Sequence, residues 1–138
     1  MANSAVQLFS AYMESQNLGV QVLDDNENVC RVGFDLENTQ IQIFVCFAED
    51  GTDAQFTGID FVKIPENKVD IIYKVCNTCN DMYRWVKFVW NEEKKYITCQ
   101  ADAAIQLDSC AEECFGIVMR MAKIVDEAYP EFMKAMWS

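Results

Sequence analysis

A chain of 138 residues, half of them apolar, can bury one real core and is too apolar to stay disordered. Its 11 basic and 22 acidic residues give a formal charge of −11, which disfavours nucleic acid and anionic membrane surfaces, both of which reward Lys and Arg. There is no histidine, which removes Ser-His-Asp and Cys-His catalysis, His-ligated metals and the usual near-neutral proton switch.

No apolar run approaches the ~20 residues of a membrane helix. The opening MANSAVQLFSAYMESQ has neither a basic end nor a long hydrophobic stretch, so a cytoplasmic protein is expected. Seven cysteines, an odd count, point to reduced thiols rather than a disulfide framework. No repeat, low-complexity run or linker is visible, and residues 1–138 read as a single domain.

The first helix spans Ser4 to Gln16, with Ala5, Leu8, Phe9, Tyr12 and Met13 as its apolar stripe, Asn3 or Ser4 as cap, and a stop at Asn17 to Gly19. A short strand, Val20 to Leu23, leads through an acidic turn into Asn28 to Leu36, where Cys30, Val32, Phe34 and Leu36 alternate with polar positions. Gln40 to Ala48 alternates again, with Ile41, Ile43, Val45 and Phe47 on the richer face. Asp50-Gly51 signals a hairpin, and a further strand is expected over Gln55 to Lys63. Pro65 opens a helix whose stripe is Val69, Ile72, Val75, Cys76, Cys79 and Met82. An aromatic hairpin follows, Tyr83 to Trp90 and Lys95 to Ala101. The last helix begins after Asp108 or Ser109, carries the stripe Cys110, Cys114, Ile117, Val118, Met121, Ile124 and Val125, and is broken or kinked at Tyr129-Pro130. The order α-β-β-β(-β)-α-β-β-α, with strands arriving as hairpins, predicts an α+β fold on an antiparallel sheet.

Three segments invite chemistry. Cys76 and Cys79 form a C-x-x-C, but near a helix C-terminus, where the dipole does not activate a thiol. Both lie on the apolar stripe, as do Cys110 and Cys114, so core packing is the first reading. A thiolate metal or redox site built from these four cysteines is the alternative, since a four-sulfur zinc site needs no histidine. Asp24 to Asn28 resembles the start of a calcium loop, but Val29 stands where that loop needs glycine, and the segment reads as a solvated turn. Paired carboxylates such as Glu49 with Asp50 and Glu112 with Glu113 fall in turns and helix starts, where acids belong on local grounds.

The hairpin offers a surface. With Trp90 opposite Lys95, one face carries Val86, Phe88, Ile97 and Cys99, the core set. The other carries Trp85, Lys87, Val89, Tyr96, Thr98 and Gln100, with Phe44 and Cys46 similarly placed in a shared sheet. This second face is too aromatic to be purely solvated. Either a helix of the chain covers it, or it is a partner or dimer surface centred on Trp85, Val89, Tyr96 and Phe44.

The helix beginning Ile64-Pro65-Glu66, the asparagine pair in Cys76-Asn77-Thr78-Cys79-Asn80, the aromatic strand through Trp85 and Phe88, and the closing Tyr129-Pro130 together resemble the YbjN-like family, also called bacterial sensory transduction regulators. The family pattern there is Leu-Asn-x-x-Asn, and Cys76 and Cys79 occupy its aliphatic places. The resemblance implies a fold similar to type III secretion chaperones, a curved antiparallel sheet with helices, often dimeric, that binds protein segments. It implies no enzymatic activity and no cofactor. It leaves open whether Asn77 and Asn80 serve a partner or the fold, Asn80 also standing where a helix C-cap belongs. The expected function is a non-enzymatic protein-binding or regulatory module, chaperone-like and homodimeric, without nucleic-acid or membrane partners.

Overall fold

The computed structural model describes residues 4–137. Helix α1 (Ser4–Ser15) is followed by strands β1 (Gln21–Val22), β2 (Val29–Asp35), β3 (Gln40–Phe47) and β4 (Asp53–Ile59). Helix α2 (Val69–Met82), strands β5 (Lys87–Asn91) and β6 (Tyr96–Ala104) and helix α3 (Cys110–Trp137) complete the order. The strands form one antiparallel sheet in the order β1-β2-β3-β4-β6-β5. The expected α+β architecture is therefore the one present.

Alternation assigns the sheet its two faces. Ile41, Ile43, Val45 and Phe47 of β3 are buried, whereas Gln42 and Phe44 are half-buried and Cys46 is exposed. The buried set points at the helices. Phe88 of β5 meets Phe132 of α3 at 5.3 Å, and Phe9 of α1 meets Phe47 at 5.7 Å, so helices from both ends of the chain close over the same face. Helix α3 buries Cys114, Val118, Met121, Val125, Ala128 and Phe132 along that face, a stripe at i, i+4, i+7 spacing.

Several expected details change. In α1, Val6 is buried and Leu8 is 43% exposed, because the helix packs on two neighbours and its buried arc is rotated by roughly 50° from the simplest stripe, Ala5, Phe9 and Met13 staying buried. Tyr12 is half-buried, its ring 5.3 Å from Phe115 of α3. The expected cap Asn3 lies outside the described residues. Strand β4 starts and stops earlier than Gln55 to Lys63. Asp50 Oδ1 accepts hydrogen bonds from Thr52 N and Oγ1, Gly51 takes φ 72°, and the tight turn lets pairing begin at Asp53; Asp60 at φ 63° ends it. After Pro65 a 3-10 turn over Glu66–Lys68 precedes α2, and Met82 at its far end is exposed rather than in the stripe. The β5–β6 register is Asn91 opposite Tyr96 and Trp90 opposite Ile97, two residues from the expected pairing. An even shift leaves the side chains of the paired residues, Lys87–Asn91 and 96–100, on their expected faces.

The largest change is in α3, which runs unbroken through Pro130. Proline has no N–H for the carbonyl four residues back, here that of Asp126. Asn38, in the β2–β3 turn, supplies the missing donor. Its Nδ2 donates to the Asp126 carbonyl at 3.0 Å, while its backbone N–H donates to Asp126 Oδ1 at 2.7 Å. The helix is thus repaired from the sheet. Replacing Asn38 by Ala should cost about 1 kcal/mol in urea unfolding, and clearly less in a Pro130→Ala background, where the new N–H satisfies the same carbonyl. Equal costs in the two backgrounds would show that the bond does not serve the proline.

Candidate protein-binding surface

With all three helices on one side, the opposite face of the sheet carries no cover from the described residues. Strand register lays out its rows. Arg31, Phe44, Thr57, Gln100 and Lys87 run side by side across β2, β3, β4, β6 and β5. Gly33, Gln42 and Ile59 form a neighbouring row that Thr98 and Val89 continue, and Cys46 with Gln55 belongs to a third. Phe44 therefore sits mid-sheet, half-buried, and Val89 is 38% exposed near the β5 edge. Thr98 is buried, its Oγ1 accepting from Gln100 Nε2 at 3.1 Å. The face is mixed, with apolar Phe44, Ile59, Val89 and Tyr96 set among amides and a few charges.

The structure brings Phe44, Val89 and Tyr96 to this face and leaves Trp85 off it. Trp85 precedes β5 at a bend, with φ 79°. A left-handed residue interrupts strand alternation, so Trp85 does not continue the face of Lys87 and Val89. Its exposed ring lies instead beside α3, with the Arg120 guanidinium 5.1 Å and that of Arg84 5.6 Å from the ring centre. Nothing in the spacing of the sequence pairs position 85 with position 120. An isolated glycine, Gly116, was the available sign, since it interrupts an otherwise strong helix.

The four cysteines of the alternative reading do not meet. Cys76 and Cys79 face the C-terminal part of α3, where Glu131 is the charge that acts on Cys79. Cys110 and Cys114 stand at its beginning, beside Cys30. The 17 residues between Cys114 and Glu131 correspond to roughly 25 Å of helix. No group of three or more metal-ligating side chains forms among the described residues. Burial pushes the Cys76 and Cys114 thiols up to about 12 and Cys79 up to about 11, the reverse of activation. The four-thiolate site is thereby overturned. Because the folded state holds these thiols protonated, their contribution to stability is complete below pH 9, where unfolded thiols begin to ionise, and is lost as pH rises toward 12. The urea midpoint should therefore fall across this range, and less steeply in a Cys76→Ala/Cys114→Ala variant; parallel profiles would show that other groups dominate.

Asn80 has a defined task. Its Oδ1 accepts from Phe88 N at 2.6 Å and its Nδ2 donates to Phe88 O at 3.2 Å. The side-chain amide thus occupies the outer edge of β5 as a neighbouring strand would. It is not the helix cap, since α2 continues to Met82 and Tyr83 N bonds to Cys79 O. Asn77 is exposed. An Asn80→Ala substitution should cost about 1–3 kcal/mol and accelerate amide exchange at Phe88 before that at Ile97. Unchanged exchange at Phe88 would assign its protection to something else.

The model of the YbjN family, "Putative bacterial sensory transduction regulator", matches residues 5–133. The chain belongs to the YbjN family. Its fold is similar to that of YbjN from E. coli, "a putative transcription regulator", at a TM-score of 0.64 and 6% identity over 91% of this chain and 92% of that one. It is also similar to a chain in the ExsC–ExsE complex, with a TM-score of 0.58 and 14% identity, covering 92% of this chain and 96% of the other. A chain of the HopA1–SchA chaperone–effector complex gives 0.50 and 10%, covering 86% and 90%. The expected type III secretion chaperone-like fold is thus shared by this YbjN-family chain. No curated protein matches it. No helix among the described residues is long and apolar enough to cross a membrane.

Proposed function

We propose that this YbjN-family chain is a non-enzymatic regulatory module of chaperone-like character that binds protein through the open face of its sheet. The observation that carries the reading is the one-sided placement of the helices, so that among the described residues no helix lies over the half-buried Phe44, Ile59 and Tyr96 or over the exposed Val89. A six-stranded sheet with an apolar component on its free face gains by burying it against another surface. Two proteins of similar fold occur in complexes with other proteins, ExsC with ExsE and SchA with HopA1. The buried thiols, held protonated by desolvation, favour binding over catalysis. Seven free cysteines suit a reducing compartment, which supports a cytoplasmic setting.

A second copy of the chain is the first occupant to test. Light scattering should give about twice the chain mass of 15.8 kDa for the wild type and the chain mass for Val89→Glu and Phe44→Glu, both placing a carboxylate within the face. Trp85→Glu should leave the mass at the wild-type value, since Trp85 lies elsewhere. A wild-type mass of one chain would remove the dimer, and a mass unchanged by either face variant would move the contact off this surface.

A further inference from the structure

Strand β6 outruns its neighbour. Strand β5 begins at Lys87, opposite Gln100, while β6 continues to Ala104. On its other side β6 remains paired with β4 as far as Ala104 opposite Asp53. Two backbone bonds decide which groups face the unpaired side. Ile97 N donates to Val62 O and Ile105 N to Thr52 O, so the odd-numbered residues of β6 turn their N–H and C=O toward β4. Asp102 and Ala104 therefore present theirs to the open edge, where no described residue bonds to them. On the edge of β5 Asn80 holds the backbone of Phe88; no described side chain does the same for this short stretch of β6.

Two local rules are broken beside this gap. Continued in register, β5 would place Trp85 opposite Asp102. Instead Trp85 adopts φ 79°, a strained conformation for an aromatic residue, and its ring carries two arginines beside it. Gly116 stands inside α3, where alanine would be the better helix former. A Cβ there would lie 3.1 Å from Arg120 Nη1, so the glycine leaves room for the guanidinium that reaches Trp85. Neither Arg84 nor Arg120 has a carboxylate within ion-pair distance among the described residues. A cleft of about 340 Å³ lies between Trp85, Ala103, Ile117 and Arg120, adjoining one of about 460 Å³ along Lys87, Gln100 and Asp102.

We propose that an extended segment of a partner protein adds to β6 as a strand at Asp102 and Ala104. On its α3-facing side it carries an apolar residue against Trp85 and Ile117 and, two positions away, a carboxylate held by Arg120 and Arg84. The proposal deepens the protein-binding reading but uses a different surface from the open sheet face. Two outward-facing residues offer at most a few ladder bonds and far less than the ~1,200 Å² of a stable interface between folded proteins, which favours a peptide over a second copy. The unpaired arginines select the carboxylate. Asp102, an even-numbered residue, points its side chain to the open sheet face. Glu113, also on the cleft, stands seven residues before Arg120, roughly 10 Å along the helix, and so determines which end of the segment takes the charge.

The test uses the isotope-labelled full chain and the acetylated, amidated peptide Thr-Val-Thr-Glu-Thr, whose Val and Glu share one face. Amide signals of Trp85, Asp102 and Ala104 should shift, and the Lys-for-Glu peptide should bind about tenfold more weakly or worse. N-methylation of the Val and Glu amides, or of the three Thr amides, should abolish binding for one set and spare it for the other, because alternate N–H groups face β6. Gly116→Ala should raise the thermal midpoint yet weaken binding by displacing Arg120, and Arg120→Gln should weaken it without a large change in stability. Equal binding of Glu and Lys peptides, equal sensitivity to both methylation sets, or no shifts up to about 1 mM peptide would overturn the proposal. Shifts confined to Phe44 and Val89 would also overturn it while leaving the open-face reading intact.

Discussion

A six-stranded sheet has two faces, and this chain has helices for one of them. The balance is set by α3, which spans one face, receives Phe88 through Phe132, and holds α1 beside it through Phe115 and Tyr12. A helix of 28 residues with proline near its end would ordinarily stop short of that span. The Asn38 side chain, reaching from the β2–β3 turn to the Asp126 carbonyl, lets it continue, so the last turns can bury Phe132 and Ala135. Helix length and sheet position are therefore coupled by one amide, and with the helices so placed none of the described elements covers the opposite face.

Side chains that look reactive here serve packing and pairing. Cys76, Cys79, Cys110 and Cys114 take places where an aliphatic residue of similar size would serve, and burial raises their pKa values rather than exposing thiolate. Asn80 does what a neighbouring strand would do for β5, satisfying one N–H and one C=O at an edge that α2 leaves otherwise bare. The regularity of the asparagine pair along the helix thus has a partial physical account, for Asn80 only. It follows from the fixed offset between the end of α2 and the start of β5.

Much of this was legible in the residues because it is governed by short-range periodicity. The alternation of Ile41, Ile43, Val45 and Phe47 assigns a face without reference to any partner, and the hairpin faces survive a register error of two because the pleat repeats every second residue. Legibility fails where a long-range contact overrides a local rule. Pro130 reads as a stop until Asn38, 92 positions earlier in the chain, is brought beside Asp126. Leu8 reads as core until packing of α1 against both the sheet and α3 turns Val6 inward. Trp85 reads as a strand residue on the outer face, and only its backbone angle, fixed by how α2 hands over to β5, places it beside Arg120.

The left-handed residues show how unusual that last place is. Asn17 and Asp60 end a helix and a strand, positions and residue types at which positive φ is tolerated, and Lys95 closes a hairpin with its N–H bonded to Asn91 O. Trp85 ends no element and closes no turn. It stands at the edge where β6 lacks a partner, the kind of site that proteins blunt against unwanted pairing, often with charge. Two arginines serve that purpose here, and they do so selectively: a cationic or purely apolar strand meets uncompensated charge, whereas a strand with a well-placed carboxylate neutralises it. The same groups that keep the edge from pairing indiscriminately are therefore the ones able to recognise a segment that fits, which is why strain and a glycine inside a helix are both tolerated at this corner of the fold.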